Sequence, residues 1–287
     1  MVRTDRRLDR GALEVRGARL VWGFRTYVVA IVNVTPDSFS GDGIEDAQGA
    51  ASHAVQQWSL GADLLDFGGE STRPGHRRID DEVEIARVVP AIRATRALLP
   101  GAPISIDTYK PVVARAAHAA GADVVNSVWG CSDDLLATAA ELGMPMVAMH
   151  NQEGTHYDGG VVDAVLTYLE ACAERAMRHG IAPERIVLDP GIGFGKDAGQ
   201  NLAVLRSLDR FAALGFPTML GASRKSTLGK LTGREPQERV FATAATTALA
   251  VSAGMDMVRV HDVAAARDVV AVSDAIVRGW RPDGWTA

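Results

Sequence analysis

From Tyr27 onward, short apolar runs alternate with longer stretches that have helical spacing. Each run is rich in Val, Ile, Leu or Met and gives way to a polar or glycine-rich turn. Such runs are typical of strands that are buried on both faces of a parallel sheet. Eight of them are present, at Val28–Val32, Leu64–Phe67, Ile104–Ile106, Val124–Val125, Met146–Met149, Ile186–Leu188, Thr218–Leu220 and Met257–Val260.

The turns that lead back into the strands share a motif. Gly-Ala-Asp, or Gly-Met-Asp, precedes three of the eight runs, at Gly61–Asp63, Gly121–Asp123 and Gly254–Asp256. Because a glycine often ends a helix, this motif indicates a helix C-terminus followed by a strand. Eight such units without a linker rich in Pro, Gly or Ser predict an α/β fold, a single (β/α)8 TIM barrel over residues 27–279.

Two short extended pieces precede the barrel. Leu13–Val15 and Arg19–Trp22 flank Gly17, which predicts a β-hairpin within the N-terminal segment 1–26. We expect this hairpin to close the bottom of the barrel, where the strands begin. Residues 280–287 are predicted to form a C-terminal tail.

Composition and charge favour small-molecule partners. The chain has 287 residues, 47% of them hydrophobic, and its 30 basic and 35 acidic residues are mixed, with a net charge of −5. Neither a nucleic-acid-binding surface nor a membrane patch is indicated. No apolar run approaches the ~18 residues that span a bilayer, so we expect a cytoplasmic protein. Cys131 and Cys172 lack the spacing of zinc ligands and are interpreted as reduced packing residues.

The most informative stretch is 186–196, where an apolar strand ends in Asp189 and a Pro-Gly break with three alternating glycines follows. The glycines keep side chains away from a flat ligand over the strand end. An ionised Asp189 accepts two hydrogen bonds from a planar N–H/NH2 edge, which favours an amino-heterocycle over a phosphate. The alternative for this stretch alone is a tight turn with a capping aspartate. Its G-x-G-x-G order does not match the dinucleotide-binding motif.

Polar residues follow the other strands too, at the end where TIM barrels carry their active sites. Taken singly, each is also explained as a helix cap or a solvated loop residue. Together, two acids, an amide and a lysine match the donors and acceptors of a bicyclic amino-oxo ring, whose faces Met149 and Phe194 would sandwich. The four polar candidates are Asp107, Asn126, Asp189 and Lys225.

A basic pair follows the last predicted strand. Arg259 and His261 lie beside the turn Ser223–Ser226, and these two loops form the usual phosphate site of a TIM barrel. The sequence therefore predicts a heterocycle pocket beside an anion pocket, for a substrate with a phosphate or diphosphate leaving group. The alternative that His261 is a metal ligand has no support from the spacing to His150.

At these residues the chain resembles the dihydropteroate synthase family, the folate-biosynthesis enzymes that sulfonamides inhibit. The resemblance covers nearly all of residues 27–278, and several motifs in the family's order make it highly specific. The motifs stand at Asn33–Ser40, Asp66–Gly75, Ser105–Thr108, Asp189–Lys196, Ser223–Ser226 and Arg259–Asp262.

The resemblance implies a reaction, a cofactor and residue roles. The family's transferases condense 6-hydroxymethyl-7,8-dihydropterin diphosphate with 4-aminobenzoate, giving 7,8-dihydropteroate and pyrophosphate, with Mg2+; a homodimer is also implied. The implied pterin-binding residues are Asp107, Asn126, Met149, Asp189, Phe194, Gly221 and Lys225. Those implied for 4-aminobenzoate are Phe39, Thr72, Arg73, Pro74 and Ser226. Those implied for pyrophosphate are Asn33, Arg259 and His261, with Asn33 also on the metal. The implied catalytic residues are Asp107, Lys225, Arg259 and His261.

Two positions depart from the family's pattern. Ser127 follows Asn126 where the family usually has an aspartate, and the order Gly41-Asp42-Gly43 is rearranged, which leaves the conformation of the first loop open.

Two other functions compete with the synthase reaction. A methyltetrahydrofolate-dependent methyltransferase of the same barrel type has no use for a diphosphate site, so Arg259 and His261 argue against it. A non-catalytic pterin-binding paralogue is expected to have degraded loops, whereas Thr35–Ser40 and Ser71–Gly75 are whole.

Overall fold

The structure is a computed structural model that describes residues 10–35, 47–71 and 78–286. Its first two strands form the predicted antiparallel hairpin, β1 (Ala12–Val15) and β2 (Ala18–Val21). Eight parallel strands then form the predicted barrel in chain order: β3 (Tyr27–Asn33), β4 (Leu64–Gly68), β5 (Ile104–Asp107), β6 (Val124–Ser127), β7 (Met146–Met149), β8 (Ile186–Asp189), β9 (Met219–Leu220) and β10 (Met257–Val260).

Backbone pairing between the last strands and their neighbours closes the barrel. Strand β10 pairs with both β9 and β3, and a bridge between Leu188 and Thr218 joins β8 to the start of β9. Several strands continue past their apolar run into polar residues such as Asn33, Asp107 and Asp189. The ladder of backbone hydrogen bonds extends that far, so these polar side chains are held by the sheet.

Helices follow every barrel strand, and local sequence signals set several of their ends. The Ser132 hydroxyl caps one helix by accepting from Leu135 N at 3.2 Å, and Asp197 and Gln200 form a capping box at another. The helices are α1 (Ala47–Ser59), α2 (Asp81–Leu98), α3 (Pro111–Ala120), α4 (Asp133–Glu141), α5 (Val161–Arg178), α6 (Ala198–Arg206), α7 (Leu208–Ala212), α8 (Ser226–Thr232), α9 (Val240–Ala253) and α10 (Val263–Val277). Short 3-10 turns lie at Pro183–Arg185 and Pro236–Glu238.

The hairpin closes the barrel bottom, as the sequence predicts. Its apolar side chains form one buried cluster with residues at the start of the barrel strands, and Trp22 Nε1 donates to Glu184 O at 2.9 Å. The cluster contains Leu13, Val15, Leu20, Trp22, Tyr27, Val29, Leu64, Val124, Val147, Val187, Met219 and Met257. The opposite end of the barrel is therefore left for the functional residues.

The Gly-Ala-Asp motifs act at the bottom as predicted. Their glycines have φ values of 96°, 116° and 92°, the left-handed conformation that ends a helix without a steric cost. Each aspartate then accepts from the backbone N–H at the start of a neighbouring strand: Asp63 from Val28, Asp123 from Ile104 and Asp256 from Thr218. Each also forms an ion pair with an arginine: Asp63 with Arg25, Asp123 with Arg96 and Asp256 with Arg10.

A single large apolar cluster extends from β3 to α10, in keeping with one barrel; the exact domain boundaries stay predictions. Cys131 and Cys172 are buried free cysteines within it. Within the described ranges, no helix is long and apolar enough to cross a membrane.

Candidate active site

Three polar side chains lie side by side where β4, β5 and β6 end. Asp66, Asp107 and Asn126 are all buried, and sheet pairing places Asp107 beside Asn126. Asp66 Oδ2 accepts from Asn126 Nδ2 at 2.9 Å, and Asp66 Oδ1 accepts from the hydroxyl of Ser105. This bond uses one of the two N–H groups of Asn126 and orients the amide so that Oδ1 is an acceptor for a ligand. This oxygen is buried and has no hydrogen-bond partner among the described residues.

Arg259 joins these acids from β10, which only β3 separates from β4 in the sheet. Its Nε donates to Asp66 Oδ2 at 2.6 Å, and one of its terminal nitrogens donates to Asp107 Oδ2 at 2.9 Å. The guanidinium that the sequence assigns to an anion pocket is thus bonded to Asp107 of the predicted heterocycle pocket and to its neighbour Asp66. Arg259 therefore links residues predicted for the two pockets.

Asp107 keeps one oxygen without a partner. Its Oδ1 is buried and accepts no hydrogen bond from the described part of the chain. Burial raises the pKa of Asp107 to about 8, with the carboxylate of Asp66 adding to the rise and Arg259 opposing it. An unpaired buried carboxyl oxygen is costly, so Oδ1 is available to accept from an N–H group of a ligand.

Asp189 ends β8 and faces the same mouth. Its Oδ1 accepts from Gly191 N at 2.7 Å, and burial raises its pKa to about 6, while the Gly191 N–H and the charge of Lys225 hold it down. A Cβ on Gly221 would lie 3.4 Å from Asp189 Oδ2, so this glycine keeps that oxygen open. Gly191 is required as well, since its φ is 71° and a Cβ there would lie 1.9 Å from His150 O.

An apolar wall completes the pocket. Val128, Met149 and Phe194 pack together as a small buried cluster, with Trp129 packed against it. The ammonium of Lys225 lies 3.9 Å from the centroid of the Phe194 ring, a cation–π contact. Met149 and Phe194 therefore lie together at the site; their placement on opposite faces of a bound ring stays a prediction.

The predicted anion-binding turn adjoins this wall. Ser223 Oγ accepts from His261 N at 3.2 Å and lies 3.0 Å from His261 Nδ1. A hydroxyl can both donate and accept, so Ser223 holds the imidazole of His261 in place whichever ring nitrogen carries the proton. An ion pair between Arg224 and Asp262, at 2.6 Å, holds the two loops together.

Asn33, at the end of β3, fits a shared metal site. A Cβ on Gly68 would lie 3.8 Å from Asn33 Oδ1, so the glycine leaves space beside this hard oxygen donor. The described residues contain no group of three His, Cys, Asp or Glu side chains that could hold a metal. Such a donor set fits Mg2+ that takes its other ligands from substrate oxygens and water.

The comparisons with known proteins agree with this geometry. A family model described as pterin binding enzyme matches residues 29–261. The dihydropteroate synthase of Clostridium beijerinckii is 42% identical over 260 residues, which cover 89% of this chain and 96% of that protein. The chain belongs to the dihydropteroate synthase family.

Two crystal structures of dihydropteroate synthases extend the likeness to the fold. The Xanthomonas albilineans enzyme with 4-aminobenzoic acid has a TM-score of 0.86 and 40% identity, covering 92% of this chain and 97% of that one. The Yersinia pestis enzyme with a sulfonamide drug has a TM-score of 0.88 and 34% identity, covering 94% and 100%. The synthase fold is therefore shared over almost the whole chain.

The predicted synthase residues that the structure describes lie at or just after the ends of barrel strands, and their binding and catalytic roles stay predictions. Four of those predicted for 4-aminobenzoate, and the departure at Gly41–Gly43, lie outside the described residues: Phe39, Thr72, Arg73 and Pro74. The departure at Ser127 has a physical role, because its hydroxyl donates to Gly130 O. A carboxylate at that position has no proton to give this carbonyl.

Three residues of the synthase site have no assigned role in the sequence analysis. Asp66 orients Asn126 and Arg259, Ser223 contacts the imidazole of His261, and Lys196 is buried under the 191–194 turn. The sequence does give a signal for Asp66, because it is an acid inside the apolar run of β4. Ser223 and Lys196 lie in recognised motifs, but the sequence does not indicate which residues they contact.

Proposed function

We propose that this member of the dihydropteroate synthase family, a transferase, joins 6-hydroxymethyl-7,8-dihydropterin diphosphate to 4-aminobenzoate at the described mouth. The proposal is carried by the buried oxygens of Asp107 and Asn126, which have no partner in the described part of the chain, beside the apolar wall. A fused amino-oxo ring supplies N–H groups for these oxygens and an apolar face for the wall.

The pterin ring is held by four polar groups. The Asp189 carboxylate, ionised above about pH 6, accepts from the N–H and NH2 edge. Asn126 Oδ1 and Asp107 accept from further ring nitrogens, and Lys225 donates to the ring carbonyl. Since all of these groups lie in a partly desolvated mouth, their hydrogen bonds are stronger than in water.

In the reaction, the nitrogen lone pair of 4-aminobenzoate attacks the pterin methylene carbon. A C–N bond forms, the C–O bond breaks, pyrophosphate leaves with the bonding electron pair, and the amine loses one proton. Arg259 and the imidazole of His261 stabilise the negative charge that grows on the leaving group. Mg2+, held by Asn33 and diphosphate oxygens, would supply further positive charge there.

Asp107 stabilises the positive charge that develops on the pterin. As the C–O bond lengthens, cationic character grows on the pterin methylene and ring. Positive charge close to the carboxyl lowers its raised pKa and favours the ionised form, which then stabilises the cation. This interaction is stronger in the transition state than in the ground state, so it accelerates the reaction.

The second substrate has its own proposed pocket. Ser226 begins α8 directly after Lys225, and the family resemblance assigns it to 4-aminobenzoate together with Phe39, Thr72, Arg73 and Pro74. Sulfonamides would compete for that pocket. The related structures named with 4-aminobenzoic acid and with a sulfonamide drug support this assignment.

A homodimer is proposed from an apolar surface on α9 and α10. Phe241 and Ile276 are the two most exposed large apolar side chains in the described part of the chain, at 86% and 78%, and Leu249 and Val272 add to the exposed set. An apolar patch of this kind suits a self-complementary interface with a second copy. The cytoplasmic location stays a prediction.

Binding order separates the synthase from its two competitors. Titrating 4-aminobenzoate by calorimetry should show tight binding only when pyrophosphate, Mg2+ and a plain pterin fill the first site. A silent pterin binder need not create the second site. A methyltransferase should instead transfer a methyl group from methyltetrahydrofolate to a corrinoid, and detecting that transfer would overturn the proposal.

A further inference from the structure

Lys196 is a buried lysine at the end of the pterin-side turn, and its side chain makes no ion pair within the described residues. Only 7% of the residue is exposed. Its Nζ lies 2.9 Å from His150 Nδ1 and donates to Gly191 O and Phe194 O, each at 3.0 Å. An ammonium has three N–H groups, and here each of them has one acceptor.

Two of these acceptors belong to the turn that shapes the pterin pocket. Gly191 donates its N–H to Asp189 Oδ1 at 2.7 Å, and the Phe194 ring forms the apolar wall under Lys225. Holding both carbonyls on one nitrogen therefore fixes the positions of the Asp189 carboxylate and the Phe194 ring together.

The third partner of Lys196 is an imidazole that is neutral over the working pH range. His150 is buried, and burial with the nearby charge of Lys196 lowers its pKa to about 3. The neutral ring accepts at Nδ1 and carries its proton on Nε2. It packs edge-on against the Tyr168 ring, with centroids 4.8 Å apart, which holds its orientation.

We propose that Lys196 is a positioning residue for the pterin, whose amino group holds the 191–194 turn in the conformation that presents Asp189 and Phe194 to the ring. The inference rests on the proposed function only in that the ligand is a pterin. The groups that carry the role are all outside the predicted anion site, so pyrophosphate binding should not depend on them.

The protonation of Lys196 gives the role a pH signature. The ionisable groups that face it are His150, Asp189 and Lys225. Burial lowers the pKa of Lys196 to about 7, Lys225 adds to the fall, and Asp189 opposes it. Above that pH the amine is neutral, and its hydrogen bonds to the two turn carbonyls lose the strength that the charge gives them, so the turn is held less firmly and pterin affinity should fall.

The test compares Lys196→Met with Lys230→Met, a matched control at an exposed lysine of α8. Calorimetry measures the affinities for 6-hydroxymethylpterin and for pyrophosphate in separate titrations, between pH 6 and pH 8.5. We expect Lys196→Met to lose pterin affinity by roughly tenfold or more, as for a lost charged hydrogen bond, and to keep pyrophosphate affinity. The fall of pterin affinity above about pH 7 should weaken in this variant and persist in the control.

An equal loss of both ligands, or an unchanged pterin affinity, would overturn the positioning role. If Lys196→Met does not fold, Lys196→Gln decides, since its amide keeps two N–H donors. It should show a smaller loss of pterin affinity with pyrophosphate spared, and equal losses again contradict the role. Wild-type protein that binds no pterin would instead refute the proposed function.

Discussion

Asp66 fixes which atom Asn126 offers to a ligand. The 2.9 Å bond from Asn126 Nδ2 to Asp66 Oδ2 engages the donor end of the amide and leaves Oδ1 as the acceptor. The same carboxylate oxygen also accepts from Arg259 at 2.6 Å. One acid that need not touch substrate therefore orients a heterocycle acceptor and a guanidinium.

The first prediction follows from that shared bond. Asp66→Asn removes the charge that engages both donors, so Asn126 can rotate and Arg259 loses one ionic partner. We expect pterin binding to weaken by ~1–3 kcal/mol, the cost of disrupting a buried hydrogen-bond pair. Calorimetry with a plain pterin measures it, with Asp133→Asn at an exposed acid as control. Equal affinity in the two variants would show that Asn126 is oriented by other contacts.

The second prediction concerns stability and pH at Asp107. Its folded pKa of about 8 lies above the ordinary 3.8, so the folded state binds more protons than the unfolded state between these values. Stability should therefore fall as pH rises from about 4 to about 8. Asp107→Asn has no ionisable group at this position, so its free energy of unfolding should not show this fall. The difference in free energy of unfolding between the variant and the wild type should therefore grow across that window by more than ~1.4 kcal/mol, the equivalent of one pKa unit. Urea unfolding at several pH values measures this; a constant difference would contradict it.

The third prediction separates binding from catalysis. Asp107→Asn should lower the single-turnover rate by more than it weakens pterin binding, because its charge acts on the developing cation. Asp189→Asn should lose binding and turnover in the same proportion, since Asp189 only holds the ring. Parallel behaviour of the two variants would sink the cation-stabilising role of Asp107.

The fourth prediction concerns assembly. Ile276→Glu places a charge in the exposed apolar surface of α10 and should convert a dimer to monomer in sedimentation velocity runs. Leu98→Glu, at a 53% exposed position at the end of α2, is the matched control and should leave the dimer intact. A wild-type monomer, or dissociation by both variants, would remove the assigned interface.

The sequence predicts the fold well because its signals are local. Apolar runs mark the barrel strands, and Gly61, Gly121 and Gly254 mark helix ends through a backbone conformation that only glycine adopts cheaply. Asp107 and Asp189 are predictable because a parallel barrel collects its strand ends at one face.

Partners distant along the chain are not predictable in this way. Arg259 is separated from Asp66 by 193 positions, and no spacing rule connects them. The sequence therefore gives Arg259 an anion-binding role without its two acids. Lys196 follows a glycine-rich turn and resembles a solvated lysine, although packing buries it on three acceptors.

The most direct test is product formation by the wild-type chain. Incubation with 6-hydroxymethyl-7,8-dihydropterin diphosphate, 4-aminobenzoate and Mg2+ is followed by mass spectrometry for dihydropteroate and a coupled assay for pyrophosphate. The account predicts equal amounts of the two products, and strongly reduced amounts of both with Arg259→Ala. Pyrophosphate release without a C–N bond, or no product from folded protein that binds both substrates, would contradict it.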